Sequence, residues 1–137
     1  MTKIEIIDIP TISREVKIDK ATRHKLLNQV EEEAQVIVHC SYTGTMGYVK
    51  IRIWKSTFLY AKNSSHRSKL VHVENITMHP TWMNVDRGQT VNFTLIFTGL
   101  PKHCKKFDMI ENITEPGGFV IKNIERNNCD VYLINMT

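Results

Sequence analysis

Residues Phe93 to Ile124 read FTLIFTGLPKHCKKFDMIENITEPGGFVIKNI and carry three short apolar runs, Phe93–Phe97, Phe107–Ile110 and Phe119–Ile124. A Gly-Leu-Pro turn follows the first run, and a Glu-Pro-Gly-Gly turn precedes the third. Runs of strand length bounded by Gly and Pro predict adjacent antiparallel strands. Phe93, Leu95 and Phe97 fall on one strand face, and burying each contributes roughly 1.5–3 kcal/mol. Pro101 ends the first run because it has no N–H for a ladder. Gly117 and Gly118 supply the positive φ that a tight reversal needs.

Comparable signals recur along the chain. Strands are predicted at Lys3–Ile7, Glu15–Ile18, Lys25–Glu31, Gln35–Tyr42, Tyr48–Trp54 and Lys69–Val73, then at Val91–Phe97, Phe107–Glu111, Phe119–Ile124 and Val131–Ile134. Many short strands without alternating helices predict an all-β fold, an antiparallel β-sandwich of immunoglobulin-like shape. At 137 residues and 42% apolar content, residues 1–137 fit a single domain with its own core. Lys20 to Ala34 is ambiguous: Leu26, Leu27, Val30 and Ala34 have helical spacing. The rival reading is a strand over Lys25–Glu31 that turns at Glu32-Glu33-Ala34 into Gln35–Tyr42, and the chain is assigned that way.

Further motifs give the chain a lineage. Gln29-Val30-Glu31, Val36-Ile37-Val38-His39-Cys40, Ser56-Thr57-Phe58-Leu59, Asn75-Ile76 and Trp82 before Gly88 precede Phe93-Thr94-Leu95-Ile96-Phe97-Thr98-Gly99-Leu100-Pro101. Phe107-Asp108-Met109-Ile110-Glu111 and Gly117-Gly118-Phe119 with Ile124 complete the series. Over residues 25–125 this resembles a family of small β-sandwich domains from Bacteroides-type bacteria, found alone or ahead of a thioredoxin-like domain. Asn75 stands where that family usually has Gly, and Cys40 where it has an aromatic. The resemblance implies the hairpin reading of Lys25–Tyr42, with Ser56–Leu59 as a turn, and implies no active site.

Charge excludes some partners. The net charge is +4, but Lys and Arg are interleaved with Asp and Glu rather than gathered on one element beside aromatics. A nucleic-acid partner is therefore not expected. The one basic cluster, Lys102-His103-Lys105-Lys106, reads as solvated loop charge. No apolar run approaches the ~18 residues of a membrane span. Met1–Pro10 is not a signal-peptide core, so cytoplasm and cell envelope both stay open as compartments.

Catalytic chemistry has little support. His24, His39, His66, His72, His79 and His103 show no metal-ligand spacing, so neither metal nor cofactor is expected. An enzyme would need two of His39, His72, His103, Cys104 and Cys129 within hydrogen-bond reach. Adjacent His103 and Cys104 gain no defined geometry as a nucleophile–base pair. Asp108 and Glu111 are expected to be structural, with Asp108 accepting backbone N–H groups of a turn.

Three cysteines leave at least one thiol unpaired. Cys40 reads as a small buried hydrophobe. Cys104 and Cys129 flank the Phe107/Phe119 pair, and a disulfide between them is conditional on an oxidising compartment. Cys40 and Trp54 have the spacing of an immunoglobulin cysteine and tryptophan, but Leu100-Pro101 stands where a tyrosine corner belongs.

Asn63, Asn75, Asn92, Asn112 and Asn135 begin Asn-x-Ser/Thr triplets, glycan acceptors in a secreted eukaryotic or viral chain. The strand position of Asn92 argues against systematic use. Given the bacterial resemblance, the triplets reflect Asn and Thr richness. Of Tyr48, Trp54, Tyr60 and Trp82, most are expected in the core. Trp82, in the loop-like HPTWMN, is the candidate for exposure.

These readings converge on a non-catalytic interaction or accessory module with a protein or glycan partner. The alternative is a carbohydrate- or peptide-binding module that uses exposed aromatics near Trp82. Open sheet edges leave room for a homodimer.

Overall fold

The computed structural model describes residues 3–6 and 34–136. These form strands β1 (Lys3–Ile6), β2 (Gln35–Thr43), β3 (Tyr48–Ile51), β4 (Thr57–Ala61), β5 (Arg67–Glu74), β6 (Met83–Asp86), β7 (Thr90–Thr98), β8 (Lys106–Glu111), β9 (Val120–Glu125) and β10 (Val131–Asn135). No helix occurs among the described residues, so the all-β expectation holds. The predicted strands at 15–18 and 25–31, and the ambiguous segment 20–34 up to residue 33, lie outside the described residues.

Eight strands share one sheet in the order β1-β10-β2-β7-β5-β4-β8-β9, and β3 pairs with β6 in a separate ribbon. Two expectations change here. The runs at Phe93 and Phe107 are not neighbours, because β5 and β4 stand between β7 and β8. Only the second pair is adjacent, with Phe107 opposite Ile124 and Ile110 opposite Val120. The sheet is also mixed: β10 runs parallel to β2, with Tyr132 opposite Val38 and Ile134 opposite Cys40.

The connectivity forces this sheet to curl. In a flat sheet β9 and β10 would lie six strand spacings apart, roughly 29 Å. The chain from Glu125 to Val131 spans at most about 21 Å when fully extended. Curling into a half-barrel brings the two ends together. Phe107 of β8 then meets Tyr132 of β10 edge to face, with ring centroids 5.0 Å apart.

Period-2 alternation fills the space between the wings. Val36, Val38 and Cys40 from β2 and Phe93, Leu95 and Phe97 from β7 point inward, as expected. Leu59, Phe107, Met109, Ile121 and Ile124 answer from the other wing. Burial pushes the Cys40 thiol up to about 12. In β5 the alternation breaks at a bulge between Leu70 and His72, so that Val71 and His72 are both exposed and Val73 turns partly inward.

β4 corrects the reading of Ser56–Leu59 as a turn. Its inward positions are Thr57, Leu59 and Ala61, while Phe58 and Tyr60 are only half-buried. The buried Thr57 hydroxyl is satisfied by the Trp54 carbonyl at 2.7 Å.

Asp108 sits at an irregularity in the β8–β9 ladder and accepts the backbone N–H of Asn123 at 2.9 Å. The donor belongs to the neighbouring strand rather than to a turn. Lys62 adds an ion pair at 2.9 Å. Burial works to raise the Asp108 carboxyl, but the Asn123 amide and Lys62 together outweigh it and hold it below its ordinary range.

A second polar cluster secures the crossing from β9 to β10. Arg126 presents Nε and Nη2 to both oxygens of Asp130, at 2.7 and 2.9 Å. Its Nη1 reaches the carbonyls of Pro101 and Cys104. The Tyr132 hydroxyl donates to Asp130 at 2.9 Å.

Candidate functional site: a cleft beside Trp82

The β3–β6 ribbon sets up one end of the molecule. Ile51 pairs with Met83, and this register carries Arg52 and Trp82 toward each other just beyond the strands. The predicted strand through Trp54 ends at Ile51, and bridging then continues at Ile53, opposite Met78. Ile53 points into the core, which leaves Arg52 and Trp54 on the other side of the backbone.

Arg52 organises the aromatics. Its guanidinium carbon lies 3.6 Å from the Trp82 ring centroid and 5.3 Å from that of Trp54. Trp54 in turn stacks on His79 at 3.6 Å, with the planes 15° apart. Trp82 nevertheless keeps 48% of its surface exposed, as its loop-like sequence suggested. The other aromatic expectation is corrected: Tyr48 is exposed, and Trp54 and Tyr60 are only half-buried. Phe93, Phe97, Phe107 and Tyr132 fill the interior instead.

Beneath Trp82 a cleft of about 340 Å³ opens between the ribbon and the β8–β9 connection. Ile53, Ile76, Phe93, Ile113, Phe119 and Met136 give it an apolar floor. Lys50, Arg52, Glu111 and Glu115 supply the charge that borders it. The β8–β9 wall depends on two glycines for different reasons. Gly117 has φ +102°, whereas a Cβ on Gly118 would lie 2.7 Å from the Glu111 carbonyl oxygen. Positive φ therefore accounts for only one member of the Gly-Gly pair.

Glu111 is buried, and its Oε2 accepts the Trp54 backbone N–H at 3.1 Å, with the Thr57 hydroxyl 3.5 Å away. Burial raises its carboxyl above the ordinary range, while the Trp54 amide, Thr57 and Arg52 oppose the shift. A raised acid binds more protons in the folded state, so Glu111 weakens stability as pH rises through the interval between its unfolded and folded values. Wild type should therefore gain stability relative to Glu111→Gln as pH falls from neutral through that interval. Urea titrations of both proteins at several pH values test this. A constant difference would show that Glu111 is not strained by burial.

The remaining sequence candidates fall elsewhere. Cys104 is a buried thiol whose Sγ lies 3.1 Å from the Lys106 carbonyl. The half-buried Cys129 thiol approaches Asn127 Oδ1 at 3.5 Å, and no disulfide joins the two cysteines in this structure. His39 bonds Thr94 at 2.8 Å, and His72 faces Glu74 at 3.5 Å. His103 is exposed, as are Asn63, Asn75, Asn92, Asn112 and Asn135. Arg52 and Glu115 are the site residues that sequence reasoning missed. The alternation Tyr48-Lys50-Arg52, which places Arg52 outward beside Trp54, is the signal that pointed to the first.

Among the described residues, no group of His, Cys, Asp and Glu is placed to hold a metal ion. No helix there is long and apolar enough to cross a membrane. The chain matches none of the protein-family models, curated proteins or solved structures with which it was compared. The resemblance to Bacteroides-type domains thus rests on the motif residues alone.

Proposed function

We propose that this protein is a non-catalytic binding module of immunoglobulin-like shape whose partner inserts an apolar peptide side chain into the cleft beside Trp82. The observation that carries the reading is a half-exposed tryptophan, braced by a buried arginine, at the mouth of an apolar cavity. Trp and Arg are over-represented among residues that dominate protein interfaces, where each sits in a well-packed, desolvated setting. The cleft volume suits one large side chain or two smaller ones, within the usual range for ligand sites. Both buried carboxylates have structural partners, Asp108 at the β8–β9 irregularity and Glu111 at the Trp54 amide, which supports binding over general acid–base work.

Carbohydrate is the second reading, favoured by the exposed surface of Trp82, on which a sugar ring can stack. The mainly aliphatic floor below it favours an apolar side chain.

Peptide and oligosaccharide arrays probed with the full chain separate the two. Retained peptides should bind at least ~30-fold more weakly to Trp82→Ala. Retention of oligosaccharides alone would transfer the site to sugar recognition. Undiminished binding by Trp82→Ala would remove the cleft from consideration.

A further inference from the structure

Two arginines in this chain present the same edge of the guanidinium to a carboxylate, and only one of them is satisfied. Arg126 closes the side-on geometry, with Nε and Nη2 at 2.7 and 2.9 Å from the two oxygens of Asp130. Arg52 uses Nη1 on the Pro80 carbonyl at 3.0 Å. Its Nη2 has Glu115 Oε2 at 3.6 Å, beyond hydrogen-bond distance, and its Nε is buried with no acceptor.

The Arg52 side chain is only 8% exposed, whereas the Glu115 side chain is 56% exposed. A buried guanidinium N–H that lacks an acceptor is costly, and native proteins seldom leave such groups unpaired. Contact with the Trp82 ring at 3.6 Å and the Pro80 carbonyl at 3.0 Å also restrains Arg52, which lowers the ordering cost of a planar bidentate contact.

We infer that the Nε–Nη2 edge of Arg52 is a receptor for a ligand carboxylate, which displaces Glu115 while an adjoining apolar group enters the cleft. This rests on the cleft being the binding site and specifies the chemistry of its ligand: a carboxylate directly beside a hydrophobic group. The C-terminal residue of a peptide with an apolar side chain has that chemistry, and so does a free fatty acid.

The local charge agrees. Lys50 and Arg52 balance Glu111 and Glu115 along the cleft, so withdrawal of Glu115 leaves one positive charge for the incoming carboxylate to neutralise. Glu111 Oε2 is held by the Trp54 amide, with the Thr57 hydroxyl 3.5 Å away, and its charge acts on Arg52 through space.

The test uses the full chain and the indole N–H resonance of Trp82, assigned with Trp82→Phe. Probes are Ala-Ala-Ala-Phe with a free C-terminus, the same peptide amidated, decanoate and decanamide. The free carboxylate forms should bind at least ~10-fold more tightly than their amides, as expected for a charge-assisted bidentate contact. Arg52→Lys, which keeps the charge but loses the fork, should abolish that preference. Glu115→Gln, at an exposed position, should strengthen carboxylate binding several-fold. A preference for the peptide acid over decanoate identifies a peptide terminus as the source, and the reverse identifies a fatty acid.

Equal binding of acids and amides would overturn the carboxylate assignment and leave the cleft reading standing. If Glu115→Gln binds the acids no more tightly than wild type, the displacement of Glu115 is refuted. No shift of Trp82 with any probe at millimolar concentration would overturn both.

Discussion

Phe107→Ala is expected to lower the unfolding free energy by about 4 kcal/mol, the middle of the range for truncating a buried aromatic. Phe107 is fully buried and is the β8 residue that meets Tyr132 across the curled sheet. Its loss removes the ring's own burial, opens a cavity and deprives Tyr132 of its edge-to-face partner. A drop of that size corresponds to about 15 °C in melting temperature for a domain of this length. Chemical denaturation followed by circular dichroism measures it directly. A loss under about 1.5 kcal/mol, less than a simple apolar burial, would show that the two wings do not press together at this point.

Arg126→Ala comes next, with an expected loss of about 3 kcal/mol from breaking a largely buried ion pair on one side. The substitution strands the Asp130 carboxylate and removes a donor from the Pro101 and Cys104 carbonyls. Arg126→Lys separates charge from geometry. Lysine keeps the positive charge but cannot place two N–H groups on one carboxylate while also reaching the carbonyls. It should recover less than half of the lost stability. Full recovery would mean that net charge alone, and not the fork, secures the crossing from β9 to β10.

The strands most legible in the sequence are those with strict alternation around large apolar residues. Val36, Val38 and Cys40 in β2 and Phe93, Leu95 and Phe97 in β7 declare their buried face by alternation alone. β4 is hidden because its pattern is inverted, with Phe58 and Tyr60 half-buried and Thr57 and Ala61 inside. A buried threonine looks like a turn residue until its hydroxyl is known to have a carbonyl partner. β6 offers only Val85 as a fully buried side chain in four residues, too short a run for period 2 to register. The parallel pairing of β10 with β2 leaves no local trace, since alternation reports faces and not neighbours.

The candidate site divides in the same way. Trp82 stands out because proline and threonine precede it in a segment without strand pattern. Arg52 and Glu115 become a pair only when the β8–β9 connection folds back toward the ribbon, and nothing in either local sequence anticipates the other. The immunoglobulin-like spacing of Cys40 and Trp54 misleads for a related reason. Ile53 takes the inward place, so the tryptophan goes to the cleft and stacks on His79.

Strand order also governs when the fold can form. The last strand of the chain, β10, lies between β1 and β2, so within the main sheet β1 has β10 as its neighbour. During synthesis, residues 3–6 emerge well before residues 131–135, which form their neighbour among the described strands. Pairings of such wide sequence separation form slowly and leave strand edges open meanwhile. The sheet therefore takes neighbouring strands from sequence positions far apart, and a nascent chain that stalls before Val131 lacks the strand that joins β1 to β2.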